Sequence, residues 1–256
     1  MSTQRTTVLI TGANRGIGRG LLELYLSKPH HIVIAANRNP EHPTSKEILS
    51  LPTAEDTVVK VVKLDVTSET DAKDAAQTLK AQEGIEHIDI LIANAGIAFA
   101  FPKLEEAKVE DIRAHFETNV IGFVRVYQAF LPFLKAASDP KFVTIGSSAA
   151  FLTEFLANVC QNVGDAPNAA YAPTKVVQHW YTRTVANQER WLSAFPIDPG
   201  FVQSDLGNNA ARLLGLEEAP VTVEESARGV VGVIDASTRE THSGKLWKWT
   251  GQEEPW

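Results

Sequence analysis

Cysteine is nearly absent from this chain: Cys160 stands alone among 256 residues. One cysteine excludes an internal disulfide and a cysteine-rich metal site. It also fits a reducing compartment, so a cytoplasmic location is expected. Long apolar runs are missing too; none approaches the roughly 18–20 residues that would span a bilayer. The opening MSTQRTTVLITG enters a strand-like run at once, which leaves no room for a signal peptide. Basic charge is not in excess. With 24 basic against 31 acidic residues the formal charge is −7, and no lysine–arginine block suggests a nucleic-acid surface. The histidines, among them the pair His30-His31 and the isolated His87, His115, His179 and His242, form no zinc-spaced set with acids or Cys160, so no metal is expected. Internal repeats, low-complexity tracts and linkers are lacking. What remains is a soluble protein without membrane or nucleic-acid partners. At 44% hydrophobic residues it suits one large α/β domain over 1–256.

Apolar, β-branched runs alternate with helix-length segments. Strands are expected over Thr7–Thr11, Ile32–Ala36, Val58–Leu64, Ile88–Ala93, Phe142–Ile145, Ser193–Ile197 and Lys245–Trp249. Helices are expected between them, over Gly16–Ser27, Ser68–Glu83, Val109–Ala136, Ala169–Trp191 and Val223–Ser237. Several strands are apolar throughout, as when helices cover both faces of a sheet. The alternation predicts an α/β fold: a doubly wound, mostly parallel seven-stranded sheet with right-handed crossovers. The Pro-rich patch Pro40–Pro52 reads as a loop with a short helix.

The stretch LITGANRGIGRG joins the first strand to the first helix, with glycines at Gly12, Gly16 and Gly18. At the carboxyl edge of such a sheet, glycines let backbone approach a pyrophosphate, and the helix N-terminus offers unpaired N–H donors. Asn14, Arg15 and Ile17 complete the loop. A tight strand-to-helix turn alone would also account for the glycines. The residues at the end of the second strand decide between NAD and NADP. An acid there would bind the ribose 2′-hydroxyl, whereas this chain has Asn37 and Arg38, with no carboxylate before Glu41. Guanidinium matches phosphate geometry with paired donors, so Arg15 and Arg38 together predict NADP(H).

In order, the chain carries the glycine loop from Thr11 to Gly18, Asp65-Val66, Asn94-Ala95-Gly96, Asn119, Ser147-Ser148, Tyr171 and Lys175 in Y-x-x-x-K spacing, and Pro199-Gly200. With these motifs in this order it resembles the short-chain dehydrogenase/reductase family along nearly its whole length. The branch of sniffer-type and C-factor-like carbonyl reductases looks similar, down to the ending WKWTGQEEPW, and fungal polyketide ketoreductases share much of the pattern. The resemblance implies a Rossmann-type domain in which Asp65 accepts from the adenine amino group. Asn94, Ala95 and Gly96 floor the cofactor pocket, and Val202 and Ser204 contact the carboxamide beside Pro199 and Gly200. Asn119 holds a water against the lysine, and a mobile substrate lid covers about 204–220. Two long helices, Val109–Ala136 and Ala169–Trp191, are where the family commonly pairs, so a homodimer or homotetramer is expected unless an insertion blocks that face.

Tyr171 and Lys175 lie one helical turn apart on one face. A phenol titrates near ~10, and a neighbouring ammonium favours its ionised form, which suits a general acid that protonates a carbonyl oxygen. A serine hydroxyl can stabilise the developing oxyanion. The family's S-x-x-G register selects Ser148, although Phe151 stands where its glycine usually does, and Ser147 is the alternative. The interval from Ser148 to Tyr171 is longer than in many relatives and is read as an inserted loop beside the pocket, over 151–168. Phe99, Phe101, Phe151, Phe155 and Trp180 fit either a hydrophobic pocket or core. The leading expectation is an NADPH-dependent ketone or aldehyde reductase acting on a small-molecule carbonyl, with an aromatic polyketide ketoreductase as one alternative. A non-catalytic NADPH-binding sensor, and an NADP-dependent epimerase or dehydratase, are the others.

Overall fold

Strands that are apolar at every position need cover on both faces, and that requirement shapes the whole architecture. The computed structural model describes residues 5–152 and 167–256. Among the described residues, eight strands form one sheet in the order β3-β2-β1-β4-β5-β6-β7-β8. They are β1 (Thr6–Thr11), β2 (His31–Asn37), β3 (Val58–Lys63), β4 (Ile90–Ala93), β5 (Lys141–Ile145), β6 (Ser193–Asp198), β7 (Leu246–Lys248) and β8 (Glu253–Glu254). Every neighbouring pair is parallel except β7–β8. The sheet therefore has eight strands, not the expected seven. The extra one is two glutamates long and exposes one of them, so it carries no apolar pattern that sequence reading could find.

Alternate residues of each strand feed two separate cores. Leu9, Ile34, Leu91 and Phe142 face one side, where α3 (Asp71–Ala81), α5 (Gly122–Lys135) and α6 (Ala172–Gln188) contribute Leu79, Phe130 and Val185. Val8, Ile10, Val33, Val143 and Phe195 face the other, against Leu21, Leu22 and Tyr25 of α1 (Gly16–Leu26) and Val230 and Ile234 of α8 (Val223–Ala236). The remaining helices among the described residues are shorter: α2 (Pro43–Lys46), α4 (Val109–Phe116), α7 (Asp205–Leu213) and α9 (Arg239–His242).

The chain runs outward from β1 through β2 to β3, then returns to place β4 on the other flank of β1. Sheets of this kind hold their ligands in the crevice opened by that reversal. Two features re-aim backbone there. The expected helix Val109–Ala136 is interrupted by a π turn over Glu117–Ile121, which joins α4 to α5 and carries Asn119. Such insertions are rare and frequently mark functional sites. Within the expected lid over about 204–220, residues 205–213 form the regular helix α7, capped where the Ser204 hydroxyl accepts from Gly207 N at 3.2 Å.

Gly122 opens α5 against the loop after β3. A Cβ there would lie 2.8 Å from Val66 Cβ and 2.9 Å from the Val66 carbonyl oxygen. Alanine normally gains about 1 kcal/mol over glycine inside a helix. Overpacking costs about 1–3 kcal/mol, so the clash should win. Gly122→Ala is expected to lower the unfolding free energy in urea titration, not raise it.

Candidate active site

Thr11 ends β1 and fastens it to the end of β4. Its hydroxyl accepts from Asn94 N and Ala95 N, both at 3.0 Å. The Asn94 amide returns the contact, donating to Thr11 O at 2.8 Å and Gly12 O at 3.1 Å. Gly12 turns at φ +65 and Gly16 at φ +54, a region where a side chain would be strained. Gly18 packs so tightly on the Gly12 carbonyl and the Asn94 amide that no Cβ fits. The resulting loop leads into α1, whose N-cap, Arg15, makes no side-chain capping bond, unlike Ser204 and Thr222 at α7 and α8. That open N-terminus, with backbone partly exposed at Gly12 and Gly16, is the kind of donor set that a pyrophosphate needs.

A cavity of about 1340 Å³ begins at this loop. Its walls include Gly12, Asn14, Arg15, Gly16, Ile17, Gly18, Arg38, Asp65, Val66, Asn94, Ala95, Gly96, Ser147, Ser148, Tyr171, Lys175, Pro199, Gly200, Val202 and Ser204. Nearly all the residues expected at the site therefore share one continuous hollow. Asn37 does not. Its side chain is buried, accepts from Ala13 N at 2.9 Å and donates to Ser45 Oγ at 3.3 Å. As the last residue of β2 it points beneath the glycine loop and holds that loop in place, so the expected contact with a cofactor ribose is corrected to a supporting one. Arg15 is exposed and ion-paired with Asp205 at the start of α7, 2.9 Å away. Asp65 lies in the wall and accepts from Thr67 N at 2.9 Å and Thr67 Oγ1 at 2.7 Å. His42 and Thr44 flank Arg38 in the same wall. Thr44 Oγ1 lies 2.7 Å from Asn14 Nδ2 and 2.9 Å from His42 Nδ1. Sequence reading misses both, since a His-Pro-Thr loop carries no motif.

At the far end of the cavity the chemistry concentrates. Pro173 stands in the first turn of α6, with Tyr171 as the N-cap immediately ahead of it and Lys175 one turn on. Tyr171 is 8% exposed and Lys175 is 5% exposed. Lys175 Nζ donates to the Ile145 carbonyl at 2.8 Å and stands 5.8 Å from the centre of the Tyr171 ring. Burial lowers the lysine to about 8, with buried Asp198 acting in the opposite direction. Burial also pushes the phenol of Tyr171 up, while a hydrogen bond from Ser147 opposes the rise. The expected lowering of the tyrosine by the ammonium does not appear: desolvation, joined by the charge of Asp198, raises the phenol, which stays protonated.

The two serines divide in a way that reverses the expectation. Ser147 lies beside the phenol of Tyr171 and acts to lower it, whereas Ser148 lies beside the carboxylate of Asp198 and acts to lower that group. The cause is local. Ser147 is extended and caps the 3-10 turn Ser148–Ala150, accepting from Ala149 N at 3.2 Å, and that turn carries Ser148 away towards β6. Asp198 also accepts from Gly200 N at 3.2 Å, and burial raises its carboxyl. This acid ends an all-buried strand, and a charge in such a place is the signal that could have found it.

Asn119 is fully buried and works as a clamp. Its side chain accepts from Ile97 N at 2.8 Å and donates to Ile97 O at 2.9 Å and Thr174 Oγ1 at 3.0 Å. Thr174 Oγ1 in turn donates to the Tyr171 carbonyl at 2.6 Å, so Asn119 braces the backbone of the tyrosine. Among the aromatics, Phe101 meets the Tyr171 ring edge-on at 6.2 Å, Phe99 stacks on His115, Phe151 is buried and Trp180 is 69% exposed. Phe155, Cys160 and most of the insertion expected over 151–168 lie outside the described residues. Among the described residues no cluster of histidine, cysteine and acid could hold a metal, and no helix is long and apolar enough to cross a membrane.

A family model for short chain dehydrogenases matches residues 6–212, and the chain belongs to that family of oxidoreductases, whose members use a nicotinamide cofactor. A norsolorinic acid ketoreductase of Dothistroma septosporum is 38% identical over 99% of this chain and 94% of its own. Another, of Aspergillus parasiticus, is 37% identical over 99% of this chain and 92% of its own. Among solved structures, an NADPH-bound carbonyl reductase from chicken fatty liver superposes with a TM-score of 0.82 at 27% identity, covering 99% of this chain and all of that one. The carbonyl reductase Sniffer of D. melanogaster shares the fold at a TM-score of 0.82 and 19% identity, covering 99% and 100%.

Because Lys175 carries a proton to about 8 when folded but to 10.5 ordinarily, its burial destabilises the fold at neutral pH. The unfolded chain binds more protons between those values, so this penalty fades as pH rises through them. Lys175→Met should therefore gain stability near pH 7, by up to about 3 kcal/mol, with the gain shrinking towards pH 10. Denaturant titrations at several pH values read it directly.

Proposed function

We propose that this enzyme reduces a ketone with NADPH, and that the ketone is of the aromatic polyketide kind. The observation that carries the reading is the single cavity linking Arg15 and Arg38 at one end to Ser147, Tyr171 and Lys175 at the other. The glycine loop and the uncapped α1 N-terminus suit the pyrophosphate, and the two arginines suit a 2′-phosphate. The nicotinamide, when bound, supplies the hydride.

The chain's own residues do the rest. Tyr171, kept protonated by burial, donates its proton to the carbonyl oxygen. Ser147 offers its hydroxyl to that oxygen as negative charge develops. Lys175, fixed on the Ile145 carbonyl, places a cation beside the phenol and favours the phenolate left behind. Asn119 and Thr174 hold the backbone of Tyr171 still. Helix α7, with Leu206, Leu213 and Leu214 in the cavity wall, forms the core of a substrate lid over about 204–220 in the same domain, excluding water. Phe101 and Phe201 add aromatic surface to the hollow. A large apolar ketone fits such walls, and the relatives named as norsolorinic acid ketoreductases support that substrate class.

The test is NADPH consumption with norsolorinic acid, simple aryl ketones and aliphatic aldehydes. Turnover is expected with the aryl ketones; consumption with none of the panel would sink the reading. Tyr171→Phe should lower kcat at least roughly 100-fold. Ser147→Ala should cost about 100-fold, while Ser148→Ala should stay within roughly tenfold; the reverse order would return the role to Ser148. Replacing Arg15 and Arg38 together by alanine should weaken NADPH binding about 100-fold and leave NADH binding unchanged. Calorimetric titration with each nucleotide measures the difference.

A further inference from the structure

One buried histidine beside the catalytic cluster has no part in the proton transfer from Tyr171. His179 lies on α6, one turn beyond Lys175, and is 4% exposed. Its Nε2 accepts from the backbone N–H of Ser147 at 3.3 Å. The same atom fills the space that a side chain on residue 146 would occupy, so Gly146 is what lets the ring come this close to β5. Trp256 packs edge-on against the imidazole, with centroids 6.0 Å apart at 76°. Arg183, one turn further along α6, lies 4.8 Å from the centre of the Trp256 ring.

We infer that His179 is the positioning residue for the catalytic serine: its Nε2 fixes the Ser147 backbone so that the hydroxyl faces Tyr171, and Trp256 holds the ring in that pose. The inference rests on the reading that Ser147 meets the substrate oxygen. An accepting Nε2 requires the neutral tautomer with the proton on Nδ1. Burial, helped by the charge of Lys175, holds this histidine down at about 3, so the ring stays neutral at any working pH. The Ser147 hydroxyl already accepts from Ala149 N. With the N–H held by His179 as well, Ser147 is pinned at two points, and its hydroxyl proton is directed to the phenol. Small displacements of such a group are costly, since misplacement by an ångström can slow a reaction roughly 100-fold.

The experiment has two arms. In the first, nitrogen NMR of imidazole-labelled wild-type protein reads the tautomer, and amide exchange reads the Ser147 N–H. The expected result is an unprotonated Nε2, with exchange at Ser147 at least about tenfold faster in His179→Leu. In the second, steady-state kinetics use the best aryl ketone of the panel. His179→Leu should lower kcat roughly 10- to 100-fold with the KM for NADPH unchanged, and His179→Gln, whose side-chain oxygen can replace Nε2, should recover most of the loss. Trp256→Ala should fall between them. A protonated Nε2 overturns the proposal, as does equal damage from leucine and glutamine, which would indicate packing alone. If wild-type protein reduces none of the ketones, the functional reading fails, and the NMR arm still decides the role of His179. That arm also decides if the leucine variant does not fold, because the tautomer is read in wild type.

Discussion

The join between the ends of β1 and β4 is the contact on which the site depends. Thr11 and Asn94 exchange hydrogen bonds there, the threonine hydroxyl accepting two backbone N–H groups and the asparagine amide donating to two carbonyls. A parallel sheet whose winding reverses opens a crevice at this point, because the loops after the two strands leave in opposite directions. Left alone, the crevice would expose backbone groups that cannot be satisfied within the strands. Asn94 satisfies them and at the same time fixes the glycine loop, the floor at Ala95 and Gly96, and the path to Asn119. Asn37 holds the same loop from the β2 side. The glycine-loop end of the cavity is thus a consequence of polar satisfaction at a topological break.

Desolvation governs the other end. Tyr171, Lys175, His179 and Asp198 are all buried within one small volume, and for each the largest influence on its titration is removal from water. The outcomes differ with the sign of the charge at stake. The phenol and the carboxyl are pushed towards their protonated forms, the lysine and the histidine towards their neutral forms. Asp198 lifts Lys175 back towards its charged form. Burying polar groups is costly unless each finds a partner, and here the Ile145 carbonyl holds Lys175, the Ser147 N–H holds His179 and the Gly200 N–H holds Asp198. Stability is given up where a polar, preorganised site is required.

Much of this is legible from residue order alone. Gly12, Gly16 and Gly18 announce a backbone that must turn and approach closely, and Tyr171 with Lys175 announces one helical face. The strand runs announce a two-faced sheet because apolar residues occupy both parities. Ser147 and Ser148 are harder. Adjacent serines are equivalent in a linear pattern, and only the 3-10 turn after β5 directs one to the tyrosine and the other to Asp198. Asn37 misleads for a similar reason: its position at the end of β2 is that of a cofactor contact, but its side chain turns under the loop. The second strand of the closing hairpin, two glutamates long, offers no apolar period at all.

The sequence by itself therefore determined the family, the mostly parallel sheet, the glycine loop and the spacing of Tyr171 and Lys175, since each depends on residue type at a short, fixed spacing. The tertiary structure decided which serine faces the phenol, that Asp198 and His179 lie beneath the site, and that Asn119 grips Ile97 and Thr174. Those contacts join residues far apart in the chain, and their energies depend on burial and direction, quantities that exist only once the sheet has brought the strand ends together.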